Sequence, residues 1–226
     1  MSHPRPSDDL AAAFARMGGA DEDKVWSELW DDLCHQGSVY DDSFLALPFL
    51  AAVATGDAPG DPDMAVSMAG LIVSAADEER TARYADEIAA LRPVAERLLA
   101  AETDRVSYVY LLQAVLAFEG ERLWSQARLE GLFDDEYEVE CPSCSSELLL
   151  SFGEGDGHAE AGGQRAPLHP ADPGALAALP ARLHRMAAGA GQEEVARGLT
   201  FLFGTAHCPD CETEFPVPEQ VAARAY

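Results

Sequence analysis

The chain has 226 residues, 48% of them hydrophobic, which supplies a real core and excludes global disorder. Forty acidic residues stand against 15 basic ones, a net charge of −25, so nucleic acid and anionic membranes are excluded as expected partners and a basic protein is favoured. Residues 1–10 lack the apolar stretch of a signal peptide, and the longest apolar runs, 44–54 and 65–76, are too short and interrupted to span a bilayer. The expected location is therefore the cytoplasm, where thiols stay reduced and paired cysteines hold metal rather than disulfides.

In chain order, Ser7-Asp8-Asp9 caps a short helix through about Met17, ended by Gly18-Gly19. Asp21-Glu22-Asp23 opens the next, whose apolar stripe is Val25, Trp26, Leu29, Trp30 and Leu33, with a stop at Gly37. A third helix runs from the Asp41–Ser43 region to Val53, with a kink expected at Pro48 unless the helix starts later. Helices follow over 62–76, over 79–102 with a bend or split at Arg92-Pro93, over 105–119 and over 122–132. The pairs 23–54, 62–101 and 104–132 repeat at about 30 to 40 residues, the spacing of HEAT-type helical repeats, and stacking would bury their apolar faces.

The pattern changes at Asp134-Asp135-Glu136. Tyr137 to Glu140 alternates as a strand does, Glu147 to Phe152 reads as a second strand, and Glu212 to Val217 as a last one. Residues 153–173 read as an irregular loop, followed by helices over 173–188 and 192–203 and, after the last strand, a short polar tail.

Two Cys-Pro-x-Cys knuckles, Cys141-Pro-Ser-Cys144 and Cys208-Pro-Asp-Cys211, flank that insert across a 63-residue gap. Each knuckle presents two sulfurs to one side of an ion, and two knuckles complete the four-thiolate tetrahedron that zinc favours. The expectation is one structural zinc held by Cys141, Cys144, Cys208 and Cys211 in a zinc-ribbon-like module. A thioredoxin-like redox role lacks its βαβ setting, and an iron–sulfur cluster lacks a close third cysteine. Cys34 lies on an apolar helix face and reads as a core thiol, and His207 as a neighbour of the site rather than a ligand.

No catalytic constellation is legible. There is no nucleophile-elbow motif, no His-Glu-x-x-His and no phosphate-cradling glycine loop. His3, His35, His158, His169, His184 and His207 are scattered, and Asp31-Asp32, Asp41-Asp42, Asp77-Glu78-Glu79 and Asp134-Asp135-Glu136 read as solvated helix starts.

One segment carries a resemblance. The Trp26-x-x-x-Trp30 helix, the Cys34-His-Gln-Gly37 turn, Tyr40 and the Ala46-Leu-Pro-Phe-Leu50 helix resemble the opening of bacterial HEAT-like proteins found beside polymorphic toxins, several of them presumed immunity proteins. The resemblance implies a helical-repeat fold and a binding role. The fold expected is mainly α: a HEAT-like superhelix over 1–133, and over 134–226 a small β zinc-ribbon-like module with an insert at about 153–204. The expected function is non-enzymatic capture of a basic protein partner, of immunity type; the alternative is a zinc-ribbon adaptor contacting transcription or translation machinery. Direct nucleic-acid binding is disfavoured by Glu138, Glu140, Glu147, Asp210, Glu212 and Glu214 around the knuckles.

Overall fold

The computed structural model describes residues 7–34, 39–153 and 155–224. His3, His35, the stop at Gly37 and most of the Cys34–Gly37 turn lie outside them. The chain divides into two compact units, Met1–Ala101 with Tyr110–Ala127, and Glu102–Val109 with Arg128–Tyr226.

The first unit is helical. It holds α1 (Ser7–Phe14), α2 (Glu22–Leu33), α3 (Leu47–Thr55), α4 (Pro62–Ser74), α5 (Glu78–Arg83), α6 (Ala85–Ala101) and the part of α7 (Arg105–Phe118) from Tyr110 onward. A 3-10 segment, Asp41–Ala46, leads into α3, so Pro48 falls in the first turn, where its missing N–H costs nothing. Asp61 caps α4, accepting from the backbone N–H of Asp63 and Met64. The 79–102 helix divides, but at Tyr84 rather than at the proline. Tyr84 is buried, and its ring stacks on Phe44 with centroids 6.3 Å apart. Helix α6 then continues unbroken through Pro93, because burial of Leu91, Val94 and Ala95 outweighs the lost hydrogen bond.

Helix α3 packs on α4 and α6, with Leu47, Leu50, Met68, Ile72 and Leu91 fully buried. At Gly70, α4 approaches α7 so closely that an added Cβ would stand 2.4 Å from the Ala114 Cβ. The helix expected over 122–132 does not form. Its place is taken by turns, in which the Glu121 carboxylate accepts from the N–H of Leu123 and Trp124, and by a 3-10 turn at Glu130–Leu132. The third helical pair is therefore incomplete, and the chain as a whole is mixed α/β rather than a plain helical repeat.

The second unit is built on a six-stranded antiparallel sheet in simple sequence order: β1 (Glu136–Glu140), β2 (Glu147–Ser151), β3 (His158–Ala161), β4 (Gln164–His169), β5 (Thr205–His207) and β6 (Glu214–Pro216). Residues 153–173 are thus not an irregular loop. Ala161 pairs with Gln164 across a two-residue turn, Gly162-Gly163, with φ of 55° and 81°. Two consecutive positive φ values define the tight hairpin turn that glycines make at no steric cost. An antiparallel hairpin of helices, α8 (Ala178–Gly189) and α9 (Glu193–Leu202), connects β4 to β5, and α10 (Val217–Ala223) stands where a polar tail was expected. The inward positions Tyr137, Val139, Leu148, Leu150 and Ala159 alternate with outward ones. Phe152 stacks between Tyr137 and Phe201 of α9, with centroids 5.9 and 5.5 Å away. Among the described residues no helix is long and apolar enough to cross a membrane.

Candidate metal centre

Each Cys-Pro-x-Cys segment forms the turn of a β-hairpin, and the two turns share one backbone design. In the first, between β1 and β2, the Cys141 N–H donates to the Ser146 carbonyl and the Ser145 N–H to the Cys141 carbonyl, both at 2.9 Å. In the second, between β5 and β6, Cys208 N–H donates to Thr213 and Glu212 N–H to Cys208, again at 2.9 Å. Ser145 and Glu212 occupy the matching left-handed position, with φ of 58° and 59°. The repeated unit is thus longer than the cysteines alone: Cys-Pro-x-Cys-x-Ser/Thr-Glu.

The sheet curls until these two turns meet. Cys141 Sγ lies 3.6 Å from Cys211 Sγ and Cys144 Sγ 3.7 Å from Cys208 Sγ; all four sulfurs fall within 4.8 Å of one another. A disulfide would need about 2.05 Å, so these are four separate sulfurs facing a common centre. The arrangement is compatible with a bound metal ion. Cys141 and Cys208 are buried, Cys144 and Cys211 exposed. A second link joins the knuckles directly: the Ser146 hydroxyl donates to Asp210 Oδ2 at 2.6 Å.

In the metal-free chain the thiols differ. Hydrogen bonding with Thr213, through its hydroxyl and its backbone, pulls the Cys211 thiol down to about 6. Burial pushes Cys208 up to about 12. Filling the centre with a cation would favour the ionised form of both.

The remaining candidates stay apart from the sulfurs. Cys34 is 2% exposed, and burial pushes its thiol up to about 12. None of His158, His169, His184 and His207 belongs to the sulfur group; the His207 ring makes an edge contact with His169 at 5.6 Å. Several carboxylates serve structure. Asp77 accepts from the Arg80 N–H at the start of α5 and Asp104 from the Ser107 N–H at the start of α7, while Asp135 pairs with the guanidinium of Arg105. Ser146 and Thr213, which support the exposed sulfurs, were missed from the sequence. The signal was present in the repeated Ser/Thr two places after each second cysteine.

Two open grooves are walled by carboxylates. On the second unit, a groove of about 620 Å³ runs over the outer face of β1, β2 and β3, lined by Glu138, Glu140, Glu147 and Glu160 around Leu149, which is 37% exposed. Arg224 pairs with Glu138 and Arg165 with Glu160; Glu140 and Glu147 stand directly opposite each other across β1 and β2. On the first unit, a groove of about 430 Å³ lies along α2 and the start of α4. No protein-family model, curated protein or solved structure matches this chain significantly.

Proposed function

We propose that this protein is a non-catalytic binding protein for a basic protein partner, with its second unit clasped by one structural zinc ion. The observation that supports the binding role is the placement of the carboxylates. Both grooves are open, and among the described residues each is walled by four acidic side chains and by no histidine. Opposed glutamates such as Glu140 and Glu147 destabilise a free sheet, and a cation laid between them relieves that repulsion. Long-range attraction from a net charge of −25 speeds encounter with a basic surface and weakens as salt is added. The resemblance of residues 26–50 to toxin-associated HEAT-like proteins agrees with this role, and on it the partner is a basic toxin.

The metal reading rests on sulfur geometry. A zinc–sulfur distance of about 2.3 Å gives a regular tetrahedron with edges of about 3.8 Å. The sulfur separations of 3.6 and 3.7 Å lie close to that edge. Four thiolates leave no open coordination position, so such an ion stabilises and does not react with substrate. Structural zinc contributes of order 10 kcal/mol in small modules.

Elemental analysis of the purified protein is expected to give one zinc per chain. The Cys141→Ser, Cys208→Ser double variant should lose it and melt at a lower temperature; full zinc retention in that variant sinks the assignment. For the binding role, affinity capture from the source cell at low and high salt should enrich basic proteins at low salt only. Enrichment of acidic proteins, or indifference to salt, would count against it.

A further inference from the structure

The Trp26-x-x-x-Trp30 motif sits at the groove of the helical unit. Trp26 belongs to the core: it is 3% exposed, meets Phe14 edge-on at 6.4 Å and donates its indole N–H to Glu22. Trp30, one turn further on, is only half-buried and lines the groove together with Met64 of α4. Four carboxylates surround these apolar walls: Glu22, Asp23, Asp31 and Asp61.

Two of the four are committed. Glu22 holds the indole of Trp26 and the Gly18 N–H, and Asp61 caps α4. Asp23 and Asp31 have no hydrogen bond or ion pair among the described residues. Eight residues apart on α2, they stand about 12 Å apart along the helix axis, one on either side of the tryptophan pair. Among the described residues no basic side chain lines the groove. The nearest candidates by position are engaged elsewhere, since Arg16 and Lys24 both pair with Glu28.

An aromatic wall flanked by unpaired carboxylates is complementary to a cation with a flat, weakly hydrated face. A guanidinium stacks on an indole and donates in the same plane to a carboxylate. An ammonium is a compact, strongly hydrated charge and gains less from the ring. We propose that this groove, lined by Trp30 and Met64 and bracketed by Asp23 and Asp31, takes an arginine side chain from the basic partner protein. Of the two acidic grooves it is the one with no basic side chain in its lining among the described residues, whereas Arg224 and Arg165 pair with glutamates in the sheet groove. This inference rests on the basic-partner reading and narrows it to one surface and one side-chain type.

The test uses the full chain with N-acetylated tetra-arginine and tetra-lysine amides as probes, followed by calorimetry and by the tryptophan indole N–H signals in NMR. Tetra-arginine should bind saturably, shift the Trp30 indole signal, bind more tightly than tetra-lysine, and weaken as salt rises. Trp30→Ala and the double variant Asp23→Asn, Asp31→Asn should each weaken it about three- to tenfold, as loss of a cation–π or ion-pair contact at a partly exposed site does. Trp30→Phe should keep most of the affinity. Because the Asp→Asn pair changes charge with little change of shape, it keeps the test readable if Trp30→Ala impairs folding. Binding that survives the Asp23, Asp31 and Trp30 changes but falls with Glu140→Gln, Glu147→Gln would overturn this site and leave the basic-partner reading standing. Absence of saturable binding by calorimetry would overturn both.

Discussion

At the scale of single residues, the cysteines separate by what surrounds each sulfur. Cys211 is exposed and hydrogen-bonded with Thr213, which favours its thiolate; Cys208 and Cys34 are buried and theirs is disfavoured. In metal-free protein, alkylation of Cys211 should reach half its limiting rate near pH 6, while Cys34 and Cys208 stay unreactive at neutral pH. Mass spectrometry of the labelled peptides checks this, and rapid labelling of Cys208 at pH 7 would contradict the burial argument. The sign for metal retention follows. A thiolate with a lowered pKa is available at neutral pH and is protonated as pH falls, so acidification displaces a metal bound at these sulfurs. The four cysteines that cluster were legible residue by residue, because Cys-Pro-x-Cys is a local motif. The serine and threonine beneath the sulfurs were not read, because their role depends on the turn that carries them.

Among the elements, close backbone approaches set what the packing tolerates. At Gly70 an added Cβ would fall 2.4 Å from the Ala114 Cβ, and at Gly204 it would fall 2.1 Å from the His169 carbonyl oxygen. The second contact lies where β4 passes its register to β5, with His169 opposite Thr205. Gly70→Ala and Gly204→Ala should each destabilise by about 1–3 kcal/mol, the cost of overpacking a filled interior. At Gly189 nothing lies within 4 Å of an added Cβ, so Gly189→Ala, in the last turn of α8, serves as the control and should be neutral or slightly stabilising. Thermal or urea unfolding of the three variants separates these outcomes. Helices α2, α3 and α4 were readable from stripe, cap and proline, since those signals act within one or two turns. The break at Tyr84 was not, because it depends on Phe44, some forty residues earlier in the chain, stacking on that ring. Nor was β3–β4: Gly162-Gly163 was seen as a turn signal, but the flanking His158–Ala161 and Gln164–His169 have too weak an alternation to be read as strands without their neighbours.

For the molecule as a whole, the consequence of a metal clasp is confined to the unit that holds it. The hairpins β1–β2 and β5–β6 come from opposite ends of the meander, and the sulfurs join them. Removing the metal with a chelator should therefore raise amide hydrogen exchange first in these two hairpins and lower the melting temperature, while α3 and α4 keep their protection. Equal loss of protection in α3 and α4 would show that the clasp supports more than the sheet. What the sequence determined by itself was chemistry carried by short stretches: the acidic balance, the two knuckles, the capped and striped helices. The tertiary structure alone decided that six strands form one meander, that the curl of this sheet is what brings Cys144 and Cys208, 64 positions apart, together, and which carboxylates beside Trp30 are left unpaired among the described residues. The physical reason is one of range. Caps, knuckles and tight turns are set by neighbours along the chain, whereas strand pairing, groove lining and the partners left to each charge are set by residues that meet only once the core has closed.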